Sequence, residues 1–311
     1  MEKKIWKKGI FIVNPKAMHW GIGIVTEDQR SEQVKAFFEH ECNIKTLGLK
    51  YIQPEEITEP GPAKLFLENI LVDEEVASKS DRQPFPAILK QFLENFPDGL
   101  KGKMLKHYEI NYKRDAHNYC VEELDKKSLK ESLDQEDYDT LATKIKRLYS
   151  KTNLLASFEM MDLNDAFKKD KAKKELSHAF YHLLYGDAPL QKRFNDTVKI
   201  FESYKMDKWT TISYPLFIRF PKEYLFVKPS MTKEAAENRG FDIQYSSKVN
   251  WSTYKRILDF GEDLFVRLSQ SDNEMLHPKD MIDVQTFMWC TYAKGWNKNE
   301  IAKAKRELGI G

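Results

Sequence analysis

The chain has 311 residues with 50 basic and 48 acidic side chains, a net charge of +2, so any nucleic-acid surface must come from local segregation of charge and not from bulk basicity. Apolar residues make up 41% and charged residues 32%, the balance of a packed globular protein, and no apolar run reaches the roughly 18 to 20 residues of a membrane span. Cys42, Cys120 and Cys290 are widely spaced and odd in number, which argues against a disulfide framework or a zinc knuckle. The opening residues lack the apolar core of a signal peptide, so a cytoplasmic location is expected.

Residues 1–53 read as a miniature barrel. Phe11 to Val13, Gly21 to Val25 and Val34 to Glu39 are short β-rich runs separated by turn residues, with Gly21 and Gly23 where backbones crowd. Residues 54–62, with Pro54, Pro60 and Pro62, read as an extended linker. From Ala63 to the end the spacing turns helical, with a sub-boundary near residue 150 as one option. The fold class expected is therefore α+β, a small barrel followed by a larger, mainly helical domain.

Within that domain Leu65 to Ile70 predicts a short helix, Ser78 to Pro84 a polar loop, and Ile88 to Phe96 a second helix that stops at Asp98-Gly99. A long charged helix follows from Met104 to Leu124, and Ser128 with Glu131 has the form of a capping box. Asn153 to Lys205 reads as three helices. Trp209 to Pro221 and Tyr224 to Pro229 are aromatic, β-branched and proline-punctuated, so they read as strands or extended segments. Asn250 should cap a long amphipathic helix, Pro278 should open another running through Trp289, and Asn297 with Glu300 should cap the last.

The amino-terminal pattern resembles the Tudor-like module at the C-terminus of UvrD-type helicases, a relative of the RNA-polymerase-interacting domain of CarD and transcription-repair coupling factors. The resemblance rests on an apolar-Val13-Asn14-Pro15 opening, Trp20-Gly21-x-Gly23-x-Val25, the strand ending Phe38-Glu39, and Lys45-Thr46-Leu47. It covers about a sixth of the chain, and the loop Lys16 to His19 departs from the family pattern. What it implies is an SH3-like docking barrel, with Trp20 and Phe38 at its contact surface and RNA polymerase or a helicase-type protein as partner.

The candidate chemistry lies further on. Lys228, Arg239, Gln244, Tyr245, Asn250 and Trp251 combine cations, amides and aromatic faces, the tools for holding phosphate and stacking an unpaired base. Asp283, beside Asp280 at a helix start, and Glu159, within an apolar helix, are candidate general bases for water. His178 and His182 stand one helical turn apart without a third ligand, so no metal is assigned, and no motif calls for a cofactor. Lysine clusters at 144–147 and 168–174 could touch phosphate or simply be solvated.

These features together lead to the expectation of a bacterial DNA-associated protein, a docking barrel joined to a DNA-binding or DNA-processing body, in repair or anti-phage defence. Its enzymatic form would be a glycosylase-like hydrolase acting on a flipped base. The alternatives are a non-catalytic adaptor and an enzyme for a small anionic metabolite. No membrane partner is expected.

Overall fold

The computed structural model describes residues 4–70 and 82–310, so most of the polar loop expected over 78–84 lies outside the described residues. The fold is α+β, as the sequence implies: an antiparallel five-stranded sheet near the amino terminus and a helical body. Strands β1 (Phe11–Val13), β2 (Gly23–Val25), β3 (Gln33–Phe38), β4 (Asn43–Gly48) and β5 (Glu55–Glu56) stand in the order β4-β3-β2-β1-β5. The segment expected as a linker therefore enters the sheet, since Glu55 and Glu56 pair with Val13 and Ile12.

The two glycines explain how the strands approach so closely. At Gly21, φ is +76°, and a Cβ there would come within 2.9 Å of Glu39 and His40. At Gly23 it would lie 2.8 Å from the Phe38 ring.

Alternation along β3 gives the sheet two buried faces. Val34, Ala36 and Phe38 join Trp6, Ile12, Val25, Leu47 and Leu49 in a small core of their own. Phe37, with Ile24 and Cys42, instead enters the core of the helical body, where its ring lies 6.1 Å from that of Phe66. The sheet thus packs against the body on one face and covers a small core of its own on the other.

The helices are α1 (Ala63–Glu68), α2 (Phe85–Asn95), α3 (Asn111–Glu123), α4 (Lys126–Asp134), α5 (Tyr138–Ser150), α6 (Ser157–Ala166) and α7 (Asp170–Tyr185). They continue with α8 (Leu190–Glu202), α9 (Trp209–Arg219), α10 (Pro229–Arg239), α11 (Trp251–Ser269), α12 (Met281–Thr291) and α13 (Lys298–Glu307). A short helix (Lys103–Leu105) and a π-helical turn (Lys106–Ile110) run directly into α3. Such an insertion shifts the helix face locally and is often found at functional sites.

Two local expectations are corrected. Asp125, not Ser128, caps α4, its side chain accepting from the amides of Lys127 and Ser128. Residues 209–219, expected as extended, form α9, a helix buried on all sides up to Ile218, with Pro215 inside it. Proline cannot donate to the carbonyl four residues back, that of Thr211, and the buried Tyr149 hydroxyl supplies that bond at 2.7 Å. Residues 224–228 form neither helix nor strand, and Lys228, the residue before α10, is extended.

Candidate functional site

A cleft of about 750 Å³ opens between α3, the end of α9 and the start of α12. Helix α3 contributes Asn111, Arg114, His117 and Asn118, positions spaced to share one helical face. The π turn adds Lys106 and Ile110, the chain after α9 adds Phe220 to Glu223, and the approach to α12 adds His277, Lys279, Asp280 and Asp283.

Arg114 is the pivot. It bonds Asp280 and reaches Asp283 Oδ1 at 3.0 Å, bridging α3 to α12. Asp280 also caps α12 by accepting from Ile282 N at 2.9 Å, and Asp283 Oδ2 accepts from Lys279 N at 2.7 Å. Burial raises the pKa of Asp283, against the Lys279 amide and the Arg114 charge, which pull it down. Both carboxylates are thus committed to Arg114 and to backbone, and Asp283 stands as the group that positions Arg114 on the cleft wall.

Apart from Glu223, the remaining charge on the cleft wall is cationic. Lys101, Lys106, Lys222 and Lys279 line the cleft, are exposed, and form no ion pair among the described residues. Arg219 joins them, its Nε donating to the Tyr185 hydroxyl at 2.6 Å. By contrast the lysine cluster at 168–174 is largely neutralised: Lys168 pairs with Asp165, Lys171 with Glu175, Lys173 with Asp139 and Asp170, and Lys174 with Glu136. Lys144 pairs with Glu123.

The two histidines are held by backbone. His117 Nδ1 lies 2.7 Å from the Ile218 carbonyl, and His277 Nε2 lies 2.8 Å from the Ser271 carbonyl. A carbonyl oxygen only accepts, so each of those nitrogens carries a proton, leaving Nε2 of His117 and Nδ1 of His277 as the chemically available atoms.

Behind the cleft lies a sealed cluster. Lys113, with no exposure to solvent, donates to Thr286 Oγ1 at 3.1 Å and lies 3.5 Å from Glu109. Burial pulls its pKa down to about 8, with Glu109 opposing. Glu109 also accepts from Trp296 Nε1 at 2.8 Å, which fastens the π turn to the segment before α13.

Of the residues singled out in the sequence, Asp283 and its neighbour Asp280 line this cleft. Glu159 caps α6, accepting from Ala156 N at 2.7 Å and from the Thr210 hydroxyl, so its burial is already satisfied. Lys228 sits 4.9 Å over the Trp289 ring. Asn250 caps α11 by accepting from Thr253 N at 2.9 Å, and Trp251 packs against Phe194 and Tyr254. Gln244, at a φ of +42°, uses its backbone carbonyl to accept from Thr253, and the Tyr245 ring lies tilted 6.4 Å from that of Trp209. Arg239 is 1% exposed, its guanidinium 4.3 Å from the Phe66 ring, and burial lowers its pKa. The six do not meet in one cavity. At the sheet, Phe38 is wholly buried and Trp20 half-buried against it, with Lys45 Nζ 5.2 Å over the Trp20 ring.

Arg114, His117, Arg219 and His277 were not legible as a site. For Arg114 and His117 the one signal was the polar face of α3, which reads equally well as a solvated stripe, and Arg219 and His277 carried none. The three cysteines are free and buried, and His178 and His182 turn to separate partners, Tyr138 and Asp196. No helix among the described residues is long and apolar enough to cross a membrane. The chain matches no protein-family model, no curated protein and no solved structure.

Proposed function

We propose that this protein binds nucleic acid, seating a sugar-phosphate strand in the cleft between α3, α9 and α12, with the amino-terminal sheet serving as its protein-docking element. The observation that carries the reading is the set of four exposed lysines, none of them ion-paired among the described residues, around one concavity with three carboxylates, of which Asp280 and Asp283 are already spent on Arg114 and only Glu223 opposes them. A concavity with surplus positive charge raises the local concentration of a polyanion, and lysines free of internal partners lose little when they bind phosphate. Phe220 adds a flat ring along the same wall for stacking an unpaired base. A volume of about 750 Å³ suits one or two nucleotides and not a duplex, which favours a single strand.

Fluorescence anisotropy with a labelled single-stranded oligonucleotide at 50 and 200 mM salt tests it. Affinity should fall steeply with salt, and a combined Lys106→Ala, Lys222→Ala, Lys279→Ala variant should flatten that slope. No binding at 50 mM salt, or binding that ignores salt, overturns the reading.

A further inference from the structure

The two histidines give the cleft a chemistry beyond binding. We propose that it cleaves RNA by transesterification, with His117 and His277 as the proton-transferring pair. The inference rests on the reading of the cleft as a strand-binding site.

Each ring has one nitrogen fixed to a backbone carbonyl, His117 Nδ1 to Ile218 and His277 Nε2 to Ser271, so neither ring is free to turn and each offers one defined nitrogen. The two rings sit on separate elements, α3 and the approach to α12, and line the same concavity. Both are half-buried, which keeps them within reach of a bound strand while shielding them from bulk water. Arg114, fixed by Asp280 and Asp283, and Lys279 stand on that wall to hold a phosphate and the charge that develops on it.

The step needs no outside reagent. One imidazole, neutral, takes the proton from a ribose 2′-hydroxyl as O2′ attacks the adjacent phosphorus. The bond from phosphorus to O5′ of the next nucleotide breaks, and the other imidazole, protonated, gives its proton to that O5′. The products are a fragment ending in a 2′,3′-cyclic phosphate and a fragment with a free 5′-hydroxyl, and the two rings have exchanged protonation states. DNA, lacking the 2′-hydroxyl, would bind and stay whole.

The test uses the full chain with a 5′-labelled single-stranded RNA in EDTA, beside binding to a 2′-O-methyl RNA of the same sequence, which cannot react. Wild type should yield cyclic-phosphate ends. His117→Asn and His277→Asn retain an N–H for the carbonyl, and each should slow cleavage about 10²-fold or more with 2′-O-methyl RNA binding unchanged. Binding of 2′-O-methyl RNA without cleavage of RNA overturns this inference and leaves the binding reading standing, whereas loss of both overturns the two together. Cleavage that both Asn variants leave untouched, or that extends equally to DNA, also overturns it.

Discussion

Two clusters of charge are built alike in this molecule and face opposite ways. In the cleft, Arg114 bridges Asp280 and Asp283; at the seam between sheet and body, Arg267 bridges Glu39 at 3.0 Å and Asp263 at 2.8 Å. The first stands among exposed lysines beside a large concavity. The second is closed over by Phe66 and Phe85, with Arg239 and Cys42 alongside. At the seam, burial pushes Arg267 down, but Asp263 and Glu39 outweigh it and its pKa ends above the ordinary value, while Arg239, buried and repelled by Arg267, ends below its own. An arginine near carboxylates is therefore ambiguous in sequence, and what decides between holding a ligand and holding the fold is whether solvent reaches it.

The largest effect should come from breaking the seam. Arg267→Ala removes the cation bonded to both buried carboxylates, Glu39 and Asp263, and should cost about 3 to 5 kcal/mol in denaturant unfolding. Arg114→Ala should cost less, because water in the cleft can take over part of the solvation of Asp280 and Asp283. Equal losses would mean the two clusters are equally sealed, and the comparison would fail.

Lys113 is the next test of sealing. Its pKa is depressed in the fold, to about 8, so from pH 8 to its unfolded value near 10.4 the unfolded chain binds more protons and stability rises with pH. Cys290 and the buried tyrosines, with raised pKa values, act in the opposite sense over that window, so the clean quantity is the difference between wild type and Lys113→Met. That difference should move in favour of wild type by about 3 kcal/mol between pH 7.5 and 10.5. A flat difference would show that water reaches Lys113.

Asn250→Ala should cost about 1 kcal/mol through the lost cap of α11 and leave strand binding unchanged, which separates capping from base recognition. Smallest in stability are the cleft lysines. Lys106→Ala or Lys279→Ala should shift unfolding by less than about 0.5 kcal/mol and lower the slope of log affinity against log salt by about 0.7 each. Lys168→Ala, whose charge is shared with Asp165, should leave that slope alone.

The helical body was legible wherever a local signal marks an end. Asn250 and the Asn297 and Glu300 box both sit where the sequence places them. Helix α9 was not legible because burial on every side leaves no apolar periodicity, and the partner that makes Pro215 tolerable, Tyr149, comes from a distant helix. The cleft was hidden for a related reason. Arg114 meets Asp280 and Asp283 across more than 160 residues of chain, and nothing near Arg114 records that pairing. Asp283 was found because two acids open a helix, and Arg239 was misplaced because a cation in sequence carries no mark of the two rings that enclose it.

Adjacent residues Phe37 and Phe38 send their rings into different cores. The sheet is therefore a party wall with rooms on both sides, and it could not be lifted out and grafted elsewhere as a cartridge. A chain shortened to begin at Ala63 would bare Phe66 and strand Arg267 without Glu39, so the helical body should come out sticky and prone to self-association, while the isolated sheet would present Ile24 and Phe37 to water.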